Sequence, residues 1–245
     1  IGLDTGQIVG AEALVRWRHP EKGLMTPENF IPLAEETGLI VPIGKWVLSE
    51  ACQQAKRWHE EGYPLRRISV NLSSIQVQRG DIVSTVAQVL RTTGLKPQFL
   101  ELEITENFIL EDSDQSMRVL QGLRDLGVQL AIDDFGTGYS NLSYLKRLPV
   151  NKLKIDKSFV RDMHVDQNDE DIVRAVIALA KSLHLQLVAE GIEKEQQLQF
   201  LMAEGCDEGQ GFFYSGPVPA EEFPDLYRRF CGAELDLYPL DSRMH

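Results

Sequence analysis

The sequence has 245 residues and lacks features that several functional classes need. Its three cysteines, Cys52, Cys206 and Cys231, are odd in number and far apart. This pattern fits reduced thiols in a cytoplasmic protein better than a disulfide framework or a zinc site. No apolar run in this chain approaches the about 20 residues that a membrane-spanning helix needs. Lys and Arg number 25 against 37 Asp and Glu, and the net charge of −12 argues against a nucleic-acid-binding groove.

Recognisable catalytic motifs of other classes are also missing. No Ser or Cys lies in a nucleophile-elbow sequence, so covalent acyl chemistry has no support. No Gly-rich phosphate loop follows the first predicted strand, as a doubly wound nucleotide-binding sheet would usually have. The five histidines follow no metal-ligand spacing and are interpreted as surface or structural residues. The first residue is Ile1, not Met, and we expect the chain to be an excised piece of a longer protein.

Short runs rich in Val, Ile and Leu alternate with longer segments of helical spacing. The runs predicted as strands are Ile8–Val15, Ile68–Leu72, Phe99–Thr105, Val128–Asp133, Val150–Ile155, Leu185–Ala189 and Cys206–Tyr214. The segments predicted as helices are Pro27–Glu36, Gly44–Glu61, Ile75–Thr93, Ser113–Leu126, Leu142–Arg147, Asp169–His184, Lys194–Ala203 and Ala220–Phe230. This repeat predicts an α/β fold, either doubly wound or a (β/α)8 barrel, and the barrel is favoured. An eighth strand is expected at or before Ile1.

Polar side chains lie within or at the carboxyl end of every predicted strand. In a barrel these ends meet on one face, where catalytic residues come from several strands. A single acid at such a place is usually a helix cap, and surplus acid usually serves solubility. Several buried carboxylates together are costly unless cations neutralise them, and oxygen ligands without His or Cys favour Mg²⁺ or Mn²⁺. The set consists of Glu12, Asn71, Glu103, Asp133, Asp134, Lys154, Glu190 and Gln210.

The local sequences around these residues resemble a known family in order and approximate spacing. They are Glu12-Ala-Leu14, Ser69-Val-Asn-Leu-Ser73, Glu101-Leu-Glu-Ile-Thr-Glu106, Asp133-Asp-Phe-Gly-Thr-Gly-Tyr-Ser140, Leu153-Lys-Ile-Asp156, Val188-Ala-Glu-Gly-Ile-Glu193 and Gln210-Gly-Phe-Phe213. Together they resemble the EAL-domain cyclic di-GMP phosphodiesterases from about residue 2 to Pro219. The resemblance implies a TIM-like barrel whose first strand is antiparallel. That strand would be truncated here, because only the family's following turn is present, as Leu3-Asp-Thr-Gly6.

The resemblance also implies roles for individual residues. Glu12, Asn71, Glu103 and Asp133 would hold one Mg²⁺ or Mn²⁺ ion, and Asp133 would bridge to a second ion completed by Asp134 and Glu190. Two such ions activate water and stabilise developing charge during phosphodiester hydrolysis. Lys154 and Glu190 would be catalytic, with Glu190 as ligand, general base or both. Residues implied in substrate binding are Leu14, Arg16, Gln210 and Phe212.

A further group is implied to order the loop that carries the paired aspartates. Glu106 would anchor this loop through a hydroxyl of Thr137 or Ser140, or through loop backbone N–H groups. Asp156 and Glu193 belong to the same supporting group. Arg16 is predicted to reach the site because it lies in phase with Glu12 along one strand.

The expected organisation is a single EAL domain over residues 1–245, with a barrel core over 1–220 and a terminal helix and tail over 221–245. The resemblance implies a homodimer, an upstream sensory or GGDEF-type domain in the full protein, and a cytoplasmic location, with any membrane anchor in a missing region. Two alternatives stay open: an inactive cyclic di-GMP receptor, and an oxygen-metal barrel acting on a sugar phosphate or organic acid. The complete ligand set favours the enzyme over the receptor.

Overall fold

The computed structural model of the protein describes residues 1–79, 81–106, 114–137, 145–163 and 167–232. Its framework is a curled, seven-stranded parallel sheet in the order β1-β4-β5-β6-β7-β8-β9. These strands are β1 (Gly10–Ala13), β4 (Arg67–Leu72), β5 (Leu100–Thr105), β6 (Gln129–Phe135), β7 (Lys152–Ile155), β8 (Gln186–Ala189) and β9 (Glu208–Gly209). The TIM-like α/β prediction is confirmed.

Helices separate successive strands along most of the chain, as parallel pairing requires. They are α1 (Ile31–Thr37), α2 (Ile40–Glu60), α3 (Ser74–Arg79), α4 (Ile82–Thr93), α5 (Asp114–Asp125), α6 (Lys157–Asp162), α7 (Gln167–Ser182), α8 (Glu195–Glu204) and α9 (Phe223–Cys231). Short 3₁₀ helices occupy Pro27–Asn29 and Pro97–Phe99. None of these helices is long and apolar enough to cross a membrane.

A strand lies within or overlaps each of the seven predicted runs, but the predicted strand Cys206–Tyr214 is reduced to the two residues of β9, because residues 211–214 form a bend and a turn. The other differences lie in the connections. An antiparallel hairpin of β2 (Trp17–His19) and β3 (Gly23–Met25) was not predicted, because each strand has only three residues. The predicted helix Ile75–Thr93 is two helices, the second capped by Asp81, whose side chain accepts a hydrogen bond from Ser84 N. Helix α6 was missed, and the predicted helix Leu142–Arg147 lies partly outside the described residues.

The seam of the curled sheet lies between β1 and β9, and the N-terminal segment lies along its β9 side. Gly2 forms an isolated antiparallel bridge with Glu208, and Leu3 N donates to Asp207 O at 3.0 Å. The first strand of the sheet, β1, is parallel to β4, so the expected antiparallel first strand is represented by this one bridge. The chain turns at residues 3–5, immediately after this bridge.

Side chains alternate between the two faces of the strands, as the two-residue period of a strand requires. The outward residues pack against the helices and are almost fully buried, as Leu102, Ile104, Leu153 and Ile155 illustrate. The inward residues of the same strands are charged, and they form two layers inside the barrel. The lower layer contains Arg67, Glu101, Lys152 and Glu208, and the upper layer contains Glu12, Glu103, Asp133, Lys154 and Glu190.

Candidate metal centre at the carboxyl ends of the strands

Lys154 lies at the centre of the upper layer and is 2% exposed. Its Nζ is 2.7 Å from Glu103, 2.8 Å from Glu190 and 3.1 Å from Asp133, and Glu12 is 3.8 Å away. Burial alone would lower the pKa of Lys154, but the surrounding carboxylates outweigh it and raise that pKa well above 10.5. The ammonium therefore stays charged and holds four strand ends together.

Glu12 is fixed by two carboxamides from neighbouring strand ends. Asn71 Nδ2 donates to one of its carboxylate oxygens at 2.7 Å, and Gln210 Nε2 donates to the other at 2.8 Å. Burial opposes ionisation of Glu12, but Lys154 and these two hydrogen bonds lower its pKa below the usual value. Glu12 therefore stays ionised, with both oxygens oriented by donors.

Asp133 and Asp134 are adjacent in β6, yet both reach the same site. In a regular strand their side chains would point to opposite faces. The β6–β7 register shifts between Ile132 and Phe135, and Asp134 has a left-handed backbone with φ of 54°. This irregularity turns both side chains toward Glu190, and one carboxylate oxygen from each of the three residues lies within 4.8 Å of the others.

Three carboxylates of the site, Glu103, Glu190 and Asp134, resist ionisation chiefly because they are buried. Burial, partly opposed by Lys154 and reinforced by Glu12 and Asp133, raises the pKa of Glu103 to about 8. Burial is also the main cause that raises the pKa of Glu190 to about 7 and that of Asp134 to about 6. Asp134 additionally shares a hydrogen bond with Asp156, whose own pKa is lowered, against the effect of burial, mainly by Ser158.

The donor set fits divalent cations. The upper layer with Asp134 contains five carboxylates around one ammonium, so four negative charges remain when all are ionised. Two divalent cations carry the charge that would neutralise them. The donors are oxygens, as Mg²⁺ and Mn²⁺ prefer, and the three clustered carboxylates are close enough to share an ion. The acidic cluster is therefore suited to metal binding.

Three residues expected to bind substrate lie at the rim of this site. Strand β1 ends at Ala13, so the argument that Arg16 lies in phase with Glu12 along one strand was wrong. Arg16 is half-buried, donates to Val15 O at 2.9 Å and still contributes to the lowered pKa of Glu12. Leu14 is 39% exposed and Phe212 is 69% exposed, so both have apolar surface available.

The residues expected to order the loop are only partly brought together. Glu106 is buried, and its Oε2 accepts a hydrogen bond from Gly136 N at 2.8 Å. The Thr137 hydroxyl instead donates to Asp134 O at 2.9 Å. Asp156 caps α6 by accepting from Ser158 N, whereas Glu193 is exposed and its backbone N–H donates to Gln197. Ser140 lies outside the described residues.

The lower charged layer was missed by the sequence reasoning. Lys152 lies 3.0 Å from Glu101 and 3.1 Å from Glu208, and Arg67 also pairs with both acids. Glu101 further accepts from the Ser69 hydroxyl at 2.8 Å. A signal was present, because Glu101 and Lys152 precede site residues by two positions on their own strands, which is the period of one strand face.

Comparisons with known proteins agree with this arrangement. The family model described as EAL domain matches residues 1–217. The chain is 48% identical over 218 residues to the bifunctional diguanylate cyclase/cyclic di-GMP phosphodiesterase MucR of Pseudomonas aeruginosa, covering 89% of this chain and 32% of that protein. It is 41% identical over 225 residues to the cyclic di-GMP phosphodiesterase PdeR of Escherichia coli, covering 92% and 34%.

Solved structures show the same likeness. A PaMucR phosphodiesterase in complex with c-di-GMP has a TM-score of 0.88 at 47% identity, covering 91% of this chain and 90% of that one. The EAL enzyme Bd1971 with bound cAMP and cyclic-di-GMP has a TM-score of 0.87 at 32% identity, covering 93% and 62%. The chain spans about a third of the length of the two curated relatives named above. By the family model and these identities, the chain belongs to the EAL domain family.

Proposed function

We propose that this chain hydrolyses cyclic di-GMP to linear 5′-pGpG with two divalent cations. The observation that carries the proposal is the convergence of five carboxylates and one buried lysine at the strand ends of an EAL domain. Relatives named as cyclic di-GMP phosphodiesterases and a c-di-GMP complex of similar structure support the substrate. The complete set of charged groups favours an enzyme over a receptor.

The two ions would be Mg²⁺ or Mn²⁺, shared among the upper-layer carboxylates. Glu12, Asn71, Glu103 and Asp133 would hold one ion, and Asp133, Asp134 and Glu190 would hold the other. The clustering of the last three carboxylates within 4.8 Å supports this division. Such ions would acidify an attacking water and offset charge on the phosphoryl oxygens.

Lys154 and Glu190 would act on the reacting atoms. Lys154 is permanently charged and would donate a hydrogen bond to the water or to a phosphoryl oxygen, which stabilises the charge that develops there. Glu190 lies 2.8 Å from Lys154 and would accept the proton released by the attacking water. Gln210, which already orients Glu12, would also orient water or substrate.

Residues at the rim would bind the rest of the nucleotide. Arg16 would clamp the second phosphate, because a guanidinium can donate two parallel hydrogen bonds to phosphate oxygens. The exposed surfaces of Leu14 and Phe212 are suited to contact the guanine bases. Glu106, Thr137, Ser140, Asp156 and Glu193 would support the loop and the strand ends, and the Glu106–Gly136 hydrogen bond supports the first of these roles.

The proposal extends to organisation. We propose one catalytic domain over residues 1–245, with a barrel core over 1–220 and a terminal segment over 221–245 that contains α9. Its partners would be a second copy of the chain and an upstream sensory or GGDEF-type domain, and its location would be the cytoplasm. The low coverage of the longer curated relatives supports a multidomain context.

The test is incubation with cyclic di-GMP and Mg²⁺ or Mn²⁺, followed by chromatography of the products. The parent and the surface control Glu60→Gln should form linear pGpG, and Glu103→Gln should not. Tight binding of intact ligand by the parent would instead identify a receptor. If the parent neither binds nor cleaves cyclic di-GMP, the proposal is wrong and another metal-dependent barrel reaction is favoured.

A further inference from the structure

The lower layer of the barrel interior contains charged residues that the proposed reaction does not use. Lys152, which is 2% exposed, lies between Glu101 and Glu208, and Arg67 pairs with the same two acids. Two acids and two bases give this layer no net charge. Replacing a buried ion pair by apolar residues is often neutral or stabilising, so fold stability alone is a weak explanation for four buried charges.

The lower layer lies directly beneath the metal centre. Glu101 is two residues before Glu103, and Lys152 is two residues before Lys154. Residues two apart on a strand share a face and are about 6.6 Å apart. Glu208 is likewise two residues before Gln210, which binds Glu12. Two of the four lower-layer residues therefore lie one step below an upper-layer residue on the same strand, and Glu208 lies two positions before Gln210, which follows β9.

A single cavity of about 50 Å³ connects the two layers. It is lined by Glu12, Glu103, Lys154 and Gln210 above and by Arg67, Ser69, Glu101, Lys152 and Glu208 below. Glu101 Oε2 is buried and has no hydrogen-bond partner among the described residues, although Lys152 Nζ is 3.0 Å away. That contact is therefore an ionic one without favourable hydrogen-bond geometry. Buried charges that face one small cavity are poorly screened from each other.

We infer that the lower layer is a positioning layer whose net neutrality sets the affinity of the upper carboxylates for divalent cations. Lys152 and Arg67 cancel Glu101 and Glu208, so the upper carboxylates bind cations with their own charge alone. An unbalanced negative charge below would strengthen cation binding, and an unbalanced positive charge would weaken it. This inference rests on the proposed function, because it requires that the upper layer bind divalent cations.

The direction in which Mg²⁺ affinity changes distinguishes this electrostatic role from a structural one. Lys152→Met leaves one extra negative charge in the lower layer, and Glu208→Gln leaves one extra positive charge. The double variant Lys152→Met/Glu208→Gln restores neutrality. Arg67→Met has the same charge effect as Lys152→Met and replaces it if that variant fails to fold. Val173→Ala, a fully buried change in α7, is the control for loss of stability without a change of charge.

Mg²⁺ affinity is measured by calorimetry at pH 8.5 on the folded parent and variants. We expect Lys152→Met to bind Mg²⁺ about tenfold or more tightly and Glu208→Gln to bind it about tenfold or more weakly, by Coulomb's law at this separation. The double variant and Val173→Ala should bind within about threefold of the parent.

The inference is supported if Mg²⁺ affinity shifts in opposite directions in Lys152→Met and Glu208→Gln and returns to the parent's value in the double variant. If both single variants weaken binding, or neither changes it, the inference is wrong and the proposed function is untouched. A parent that binds neither Mg²⁺ nor Mn²⁺ overturns both the inference and the proposed function.

Discussion

The two charged layers inside the barrel differ in the balance of their charges, and this difference separates a supporting layer from a layer suited to metal binding. In the lower layer, Lys152 and Arg67 balance Glu101 and Glu208. In the upper layer together with Asp134, one ammonium faces five carboxylates, and burial, reinforced by neighbouring carboxylates, raises the pKa values of Glu103, Glu190 and Asp134. Buried charges that pair with each other compensate one another, whereas unbalanced buried charges are costly unless a ligand neutralises them. We therefore expect cation binding and catalysis in the upper layer, where the carboxylates outnumber the ammonium.

The largest expected contrast is between two lysines on one strand. Lys154→Met should lower kcat for cyclic di-GMP hydrolysis by about 10³-fold, because a charged donor aimed at the reacting atoms is lost. Lys152→Met should keep kcat within about tenfold when Mg²⁺ is saturating, because Lys152 acts only through other residues. Steady-state kinetics at several Mg²⁺ concentrations checks both. Equal losses of kcat in the two variants would remove the distinction between the layers.

The second contrast concerns the stability of the protein without metal. Lys152→Met should lower the free energy of unfolding by about 3 kcal/mol, because it breaks a buried ion pair. Glu103→Gln should raise it by about 1 kcal/mol at pH 8.5, because it removes a buried carboxylate that resists ionisation. Urea unfolding in the presence of a chelator measures both. Destabilisation by Glu103→Gln would show that Glu103 is already balanced by Lys154.

The third prediction is a pH dependence that belongs to the upper layer. Glu103 and Glu190 have folded-state pKa values of about 8 and about 7, above the usual 4.5 of a glutamate. At pH values between the unfolded-state and folded-state pKa values, the folded protein binds more protons than the unfolded protein. The free energy of unfolding should therefore fall as pH rises from about 5 to about 8. Saturating Mg²⁺ should flatten this slope, because bound cations keep the carboxylates ionised. A metal-free stability that increases over this interval would contradict the raised pKa values.

The smallest expected effect is at the junction of the paired-aspartate loop. Glu106→Ala removes the acceptor of the Gly136 N–H, three residues from Asp133. We expect Mg²⁺ affinity to fall by about fivefold, and the loss of folding stability to be smaller than the corresponding loss of binding free energy. The exposed change Glu36→Ala serves as the matched control. Comparable metal titrations for Glu106→Ala and the parent would show that this hydrogen bond does not order the ligands.

The sequence was sufficient to locate the strands of the parallel sheet and the polar residues within or at their ends. Val, Ile and Leu runs mark buried parallel strands, and polar residues that interrupt them, such as Glu103 and Lys154, stand out. The hairpin at Trp17–Met25 was missed because three-residue strands carry no period. Asp134 could be placed in the site only by resemblance, because strand alternation predicts that its side chain lies on the face opposite to that of Asp133. The register shift in β6 and the left-handed backbone of Asp134, with φ of 54°, bring both side chains to the same site.

The lower layer shows a different limit of sequence reasoning. Lys152 and Glu208 are 56 positions apart, and nothing local indicates that they meet. Lys152 lies in β7 and Glu208 lies in β9, with β8 between them. Their side chains meet because the sheet is curled and both point to its inner side. Charge balance between distant strands is therefore visible only in the folded structure.

The most direct test of the central claim is a crystal structure with Mn²⁺, with the ions located by anomalous scattering. We expect two anomalous peaks at the upper layer, one beside Glu12 and Glu103 and one beside Asp134 and Glu190, and none in the lower layer. Absence of peaks in the upper layer, or a peak beside Glu101 and Glu208, would contradict this expectation.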